Sequence, residues 1–168
     1  MKKFLLMMGA ALLALSVQAE NLLFNADFKQ IKNENASGWS KVGGGKVTFN
    51  SQEGFVRLEN DADAKKSCSI RQNVFKRVQV GKKYRIECKV RGDKFLRNGK
   101  SDYGMLLINR SWKGNAGTRR FIVTDGKWVT MSKVVTIPEN WTDVTVVIFT
   151  AAGSGALEFS NISLTEVK

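Results

Sequence analysis

Short stretches of alternating apolar and polar residues run along most of this chain. In the clearest, residues 83–91, Tyr84, Ile86, Cys88 and Val90 alternate with charged residues. A period of two is typical of a strand with one buried and one solvated face. Glycine, asparagine and aspartate separate the stretches, and the spacing typical of helices is absent, so the pattern predicts an all-β sandwich or barrel. The predicted strands are residues 46–50, 54–59, 67–75, 83–91, 103–110, 119–124, 127–137, 143–150 and 156–167.

The first nineteen residues have the pattern of a cleavable secretory signal. Lys2 and Lys3 precede an apolar run over residues 4–15, and a small-residue cleavage site ends at Ala19. A membrane anchor is the alternative, but a spanning helix needs about 20 apolar residues and no later segment comes close. We expect cleavage before Glu20, secretion to the periplasm or the medium, and no membrane span.

Residues 20–168 are expected to form one domain. This length suffices for one continuous hydrophobic core and is short for two. The single proline and the lack of a serine-rich or charged run leave no candidate linker, and no internal repeat is present.

The chain is strongly basic, with 27 Lys and Arg against 15 Asp and Glu and a formal net charge of +12. Such a surface attracts polyanions. Nucleic acid is not expected as a partner, because an exported protein rarely meets it and no RNA-binding strand signature is present. An acidic polysaccharide or an anionic cell envelope fits better, while a charge that only maintains solubility is the alternative.

The chain lacks histidine, which excludes serine-histidine and cysteine-histidine catalysis. Glu59 and Asp61 could begin the paired carboxylates of a jelly-roll glycosidase, but position 64, where a further acid would be needed, is alanine. We therefore expect no enzymatic activity. A polysaccharide lyase that uses Tyr103 with basic residues is a minor alternative.

Cys68 and Cys88 are the only cysteines of the chain. An even number of cysteines in a protein sent to an oxidising compartment predicts a disulfide. Two thiols without histidine are too few for a structural metal site.

Several short motifs, taken in order, resemble carbohydrate-binding modules of the family-4 and family-9 type. They are Asn21-Leu22-Leu23-Phe24-Asn25-Ala26-Asp27-Phe28, Gly38-Trp39, Ile70-Arg71-Gln72-Asn73-Val74, Gly81-Lys82-Lys83-Tyr84, Gly126-Lys127-Trp128 and Leu157-Glu158-Phe159-Ser160-Asn161-Ile162-Ser163-Leu164. The resemblance implies a jelly-roll β-sandwich of the galactose-binding-domain-like kind. It also implies a secreted, non-catalytic protein that binds a polysaccharide or glycan.

Two departures from the family pattern concern its structural calcium. Lys29 replaces an acid after Asp27-Phe28, and Ser160-Asn161 replaces a pair of acids near the C-terminus. Because calcium needs several anionic oxygens, we expect no calcium and no other cofactor.

The predicted binding site combines aromatic platforms with polar side chains, because a sugar presents an apolar face and a rim of hydroxyls. Trp112 and Tyr103 are the expected aromatic platforms. The alternative for Trp112 is that it packs at the edge of the core. Asn109, Arg110 and Gln72 are the expected polar contacts, although Gln72 could equally be a buried structural amide. Trp39 and Trp128 are interpreted as structural. A secreted structural or protein-binding module on the same sandwich is the alternative function.

Overall fold

The computed structural model describes residues 19–168, except residues 61–65, 98–99, 102, 111–113, 123–125 and 152. For residues 93–97, 100–101, 103–105 and 118–122 it describes the backbone alone. The strands are β1 (Ile31–Lys32), β2 (Asn35–Ala36), β3 (Ser40–Gly43), β4 (Lys46–Asn50), β5 (Phe55–Asn60), β6 (Cys68–Asn73), β7 (Lys83–Arg97), β8 (Lys100–Ser101), β9 (Tyr103–Asn109), β10 (Asn115–Ile122), β11 (Val129–Thr136), β12 (Thr145–Thr150) and β13 (Ser154–Glu166). A 3₁₀ turn, Phe75–Arg77, follows β6.

The strands form two main antiparallel sheets. The five-stranded sheet has the order β10-β9-β12-β6-β3, and the six-stranded sheet has the order β11-β7-β13-β5-β4 with β8 beside β7. β1 and β2 form a small separate ribbon. Apolar side chains from both sheets share one core, to which Ile70 and Ile148 contribute from one sheet and Ile86 and Leu157 from the other. The predicted all-β sandwich is therefore confirmed.

All nine predicted strands are present, with shifted ends. The largest shifts are in β7, which continues to Arg97, and in β10, which begins at Asn115. The sequence pattern missed β1, β2, β3 and β8, which have two to four residues each. β3 lies at a sheet edge and is mostly exposed, so its residues show no apolar alternation.

The alternation in β7 has the predicted consequence. Tyr84, Ile86, Cys88 and Val90 are buried at 1% exposure or less, while the charged residues between them lie on the outer face. The hydroxyl of Tyr84 accepts a hydrogen bond from the backbone N–H of Gln79 at 2.7 Å, so its polar end is paired inside the core.

The predicted disulfide is wrong, because Cys68 and Cys88 are both free and buried. Cys68 begins β6 in the five-stranded sheet. Its Sγ lies 3.8 Å from the carbonyl oxygen of Lys46, at the start of β4 in the six-stranded sheet. Cys88 lies in β7 of the same six-stranded sheet, and β13 and β5 separate that strand from β4. Three strand spacings amount to about 14 Å, twice the largest Cα separation of about 7 Å that a disulfide bridges.

The predicted signal segment up to residue 18 lies outside the described residues, so secretion and cleavage before Glu20 stay predictions. Among the residues that are described, no helix has the length and apolar character needed to cross a bilayer.

Candidate functional site

A cleft of about 540 Å³ lies on the face of the five-stranded sheet that points away from the core. Its central strands are β6, β12 and β9, and Thr145 in β12 pairs with Asn73 on one side and Asn109 on the other. The next row toward the sheet interior is Arg71, Val147 and Leu107. The cleft therefore carries two adjacent rows of side chains across three strands.

Alternation along the strands explains this arrangement. Ile70, Val146 and Ile148 belong to the core, so the residues between them face the cleft. Val147 and Leu107 are 0% and 3% exposed although they lie on the cleft side of the sheet. Both are buried and neither lines the cleft, whose described walls carry mainly polar side chains together with the ring of Phe24.

Asn109, one of the predicted site residues, lines the cleft. Its side chain is 1% exposed, and neither the amide nitrogen nor the amide oxygen has a hydrogen-bond partner in the described structure. Buried polar atoms are nearly always paired in native proteins, and an unpaired one costs about 1–3 kcal/mol. An amide held unpaired at a cleft is therefore a feature that a ligand can satisfy.

Arg71 is one of the cleft residues that the sequence reasoning missed. Its side chain is exposed, and its guanidinium makes no hydrogen bond or ion pair with any described residue. The sequence motif containing Arg71 directed attention to Gln72, and neighbouring positions of a strand face opposite sides. Alternation relative to Ile70 was the signal that could have identified Arg71.

Gln72 lines the end of the cleft but serves the fold there. The residue is 4% exposed; its side-chain oxygen accepts the backbone N–H of Phe24, and its side-chain nitrogen donates to the Phe24 carbonyl, both at 2.8 Å. Arg77 Nη1 donates to the same Gln72 oxygen at 3.2 Å and to the Leu22 carbonyl at 3.1 Å. The buried structural alternative for Gln72 is thus the one that its contacts favour.

Phe24 is an aromatic side chain of the cleft that was seen in sequence only as part of the N-terminal motif. Its ring is 39% exposed and lies against Gly38, where an added Cβ would come within 2.7 Å of ring atom Cδ1. The guanidinium carbon of Arg77 lies 5.9 Å from the ring centroid. Gly38, which has φ +82°, and Gln72 together fix this exposed ring at the cleft end.

The structure describes Tyr103 only in part and does not describe Trp112, whereas Arg110 is described. The backbone of Tyr103 begins β9 and pairs with Ile122, while its side chain lies outside the description. Trp112 lies outside the described residues altogether. Arg110 follows β9 and places Nη2 3.5 Å from the hydroxyl of Thr142, next to Asp143 of the cleft.

The residues near Asp27 do not fit a calcium ion. The ammonium of Lys29 lies 3.6 Å from the Asp27 carboxylate, and both side chains are exposed. The amide oxygen of Asn25 already accepts the backbone N–H of Gln30. No cluster of three or more metal-ligating side chains is found in the portion of the chain that the structure describes.

A family model described as a carbohydrate binding domain, of types 4 and 9, matches residues 20–155. The match covers most of the chain and includes the strands that build the cleft. The chain belongs to this family. No curated protein sequence matches this carbohydrate-binding domain.

Solved structures share the fold of this carbohydrate-binding domain. TmCBM61, solved in complex with β-1,4-galactotriose, has 17% identity and a TM-score of 0.63, over 89% of this chain and 100% of that one. The CBM22-1 xylan-binding domain from Paenibacillus barcinonensis Xyn10C has 16% identity and a TM-score of 0.61, over 89% and 96%. The arabinose-bound α-L-arabinofuranosidase MgGH51 has 13% identity and a TM-score of 0.65, over 88% of this chain but 26% of the enzyme. The chain thus spans about a quarter of that enzyme, and the jelly-roll prediction is confirmed.

Proposed function

We propose that this domain is a secreted, non-catalytic protein that binds an acidic polysaccharide in the cleft of the five-stranded sheet. The family match supports a carbohydrate-binding role. The unpaired, buried amide of Asn109 carries the assignment to this cleft, because a sugar hydroxyl can both donate to its oxygen and accept from its nitrogen. Both amide atoms are buried in the ligand-free structure, so the side chains around Asn109 have to move before a hydroxyl reaches them.

Charge at the cleft favours an acidic ligand. Arg71 and Arg77 line the cleft and Arg110 lies next to it. Asp143 is the carboxylate among the described lining residues, so positive charge is in excess. Asp143 accepts a hydrogen bond from the Asn73 amide at 2.6 Å. An unpaired guanidinium matches the geometry of a carboxylate or sulfate and can bind it through two parallel hydrogen bonds.

The non-catalytic role is supported by the chemistry of the lining residues. Glycoside hydrolysis uses two carboxyl groups on either side of the scissile bond, and Asp143 is the carboxylate among the described lining residues. With no histidine in the chain, no side chain is suited to proton transfer near neutral pH without a shifted pKa.

The test is a glycan array of the mature protein at low and high salt. We expect selective binding of uronate-containing or sulfated chains, weakened but not abolished by salt, because screening acts on the arginines and not on stacking. Trp112→Ala should remove most binding of acidic chains at any ionic strength, as the sequence predicts for a platform.

Arg71→Gln tests the charge assignment. It should lower the affinity for acidic chains by roughly tenfold, since a charge-assisted hydrogen bond contributes about 1.5–3 kcal/mol, and should leave the affinity for neutral chains nearly unchanged. Arg110→Gln should act in the same direction. Arg85→Gln, an equal change of charge on the exposed face of β7, is the matched control. An equal loss of affinity for acidic chains in the Arg71 and Arg85 variants would show that the acidic preference comes from net charge alone. An absence of any glycan binding would favour a protein-binding module.

A further inference from the structure

The face of the six-stranded sheet that points away from the core carries an exposed aromatic side chain. Trp128, interpreted from sequence as structural, is 38% exposed and lies directly before β11. Its ring centroid lies 6.5 Å from that of Phe55 in β5, at an interplanar angle of 59°. The guanidinium carbon of Arg91 lies 4.5 Å from the Trp128 centroid and 5.7 Å from the Phe55 centroid. The Arg91 guanidinium thus lies close to both rings.

A groove of about 430 Å³ lies beside these rings. Four charged side chains, Arg57, Glu59, Arg91 and Glu158, line it together with the side-chain-free positions Gly126 and Gly155. An added Cβ at Gly126 would have no atom within 4 Å, so this wall of the groove is open to solvent. We call this surface, with Trp128 and Phe55, the outer-face groove.

The charged side chains of the outer-face groove are held in place by one another. Glu158 is 12% exposed and accepts hydrogen bonds from Arg91 Nε and from Arg57 Nη1, the latter at 3.1 Å. Arg57 Nε lies 3.4 Å from Glu59. Burial lowers the pKa of Arg57, but its bonds to Glu59 and Glu158 outweigh this and leave that pKa above the usual value. Because each guanidinium has five N–H donors, further donors remain for a ligand.

We propose that the outer-face groove is a second carbohydrate site, and that it binds a neutral polysaccharide. Trp128 supplies an apolar surface for a sugar ring, and the fixed guanidinium and carboxylate groups supply donors and acceptors for adjacent hydroxyls. The two arginines and two glutamates balance in charge, whereas the cleft of the other sheet carries an excess of arginine. An anion gains little from the balanced groove, so the ligand that fits it is uncharged.

The two sites lie on opposite faces of the sandwich. The groove lies on strands β5, β7 and β13, and the cleft lies on β6, β9 and β12 of the other sheet. One molecule can therefore hold an acidic chain on one side and a neutral chain on the other. This inference goes beyond the proposed function and does not depend on it.

Binding to xylan and to β-1,4-galactan tests the proposal, with polygalacturonate as the acidic probe. The assay runs in about 0.5 M salt, where the Debye length is only about 4 Å, and again at low salt. Trp128→Ala should weaken binding to a neutral probe at least tenfold at both salt concentrations and leave polygalacturonate binding at the wild-type level. Arg71→Gln should weaken polygalacturonate binding and leave binding to the neutral probes at the wild-type level. Val134→Ala, on the same face of β11 and 45% exposed, is the control that should change neither.

Hydrogen exchange of the wild-type protein keeps the test independent of whether the variant folds. A neutral oligosaccharide should protect amides around Gly126 and Trp128 but not those around Arg71. Wild-type binding of neutral chains by a Trp128→Ala variant with an unchanged melting temperature would overturn the proposal. Protection confined to the cleft strands, or no binding of either neutral probe, would also overturn it, while retained polygalacturonate binding would leave the proposed function standing.

Discussion

Replacement of Asn109 by leucine should make the ligand-free domain more stable and less able to bind. The Asn109 side chain is 1% exposed with both polar atoms unpaired, so unfolding returns both atoms to water and gains their hydration. Each buried unpaired group costs about 1–3 kcal/mol. Leucine has the same branched shape, with four side-chain heavy atoms and no polar atom, so we expect the free energy of unfolding to rise by about 2 kcal/mol, which corresponds to a Tm increase of roughly 4–8 °C for a domain of this size.

Asn73→Leu is the matched control, because it makes the same change on the same face of the sheet, in the strand on the other side of β12. The Asn73 amide is fully engaged: its nitrogen donates to Asp143 at 2.6 Å and its oxygen accepts the backbone N–H of Phe75 at 3.0 Å. Its loss should lower the free energy of unfolding by about 1 kcal/mol. Urea denaturation of both variants, with glycan titration of each, measures the contrast. If Asn109→Leu were destabilised as much as Asn73→Leu, the Asn109 amide would be paired in solution and the reasoning would fail.

Three further outcomes are expected. Cys68 and Cys88 should resist alkylation at pH 8 in the folded protein and both react after denaturation, because burial raises their pKa values to about 11 and about 12. For the same reason the free energy of unfolding should fall as pH rises above about 9, where unfolded thiols ionise and folded ones do not. Gly117→Ala should cost about 1–3 kcal/mol in urea denaturation, since its Cβ would lie 1.9 Å from Val135 Cγ1, and Val135→Ala should recover part of that loss. Thermal melts with excess calcium and with chelator should coincide because Lys29 lies beside Asp27, and a rise of several degrees with calcium would contradict this.

The fold could be predicted from sequence because its determinants are local and periodic. Over residues 84–90 of β7 every second residue is apolar and buried, which predicts a strand with one face on the core of a sandwich or barrel. The disulfide could not be predicted correctly, because parity in two strands does not tell which strands lie together. Cys68 lies against the start of β4 and Cys88 lies in β7, and that separation follows from the strand order of the whole sheet.

The site was predicted in part for a related reason. Asn109 was proposed because it belongs to the predicted strand that leads to Trp112, and the structure places it on the cleft wall. Arg71 was missed and Gln72 chosen because the two are neighbours, and a shift of one position along a strand exchanges the core face and the outer face. Phe24 was missed because nothing local shows that the N-terminal segment returns to the end of β6, 48 residues further along the chain.

The segment around Phe24 forms one end of the cleft. Asn21 accepts the backbone N–H of Leu164 at 3.0 Å and donates to the Ile162 carbonyl at 2.9 Å, which ties the segment to β13. Gln72 holds both backbone polar groups of Phe24, and Gly38 leaves room for the ring. These contacts fix an exposed aromatic ring before any ligand arrives, so binding does not have to order it. Cleavage before Glu20 would leave all of these contacts intact. Removal of five more residues would take away the Phe24 ring and leave the Gln72 amide without its Phe24 partners. The expected cleavage site is therefore compatible with the geometry of the cleft.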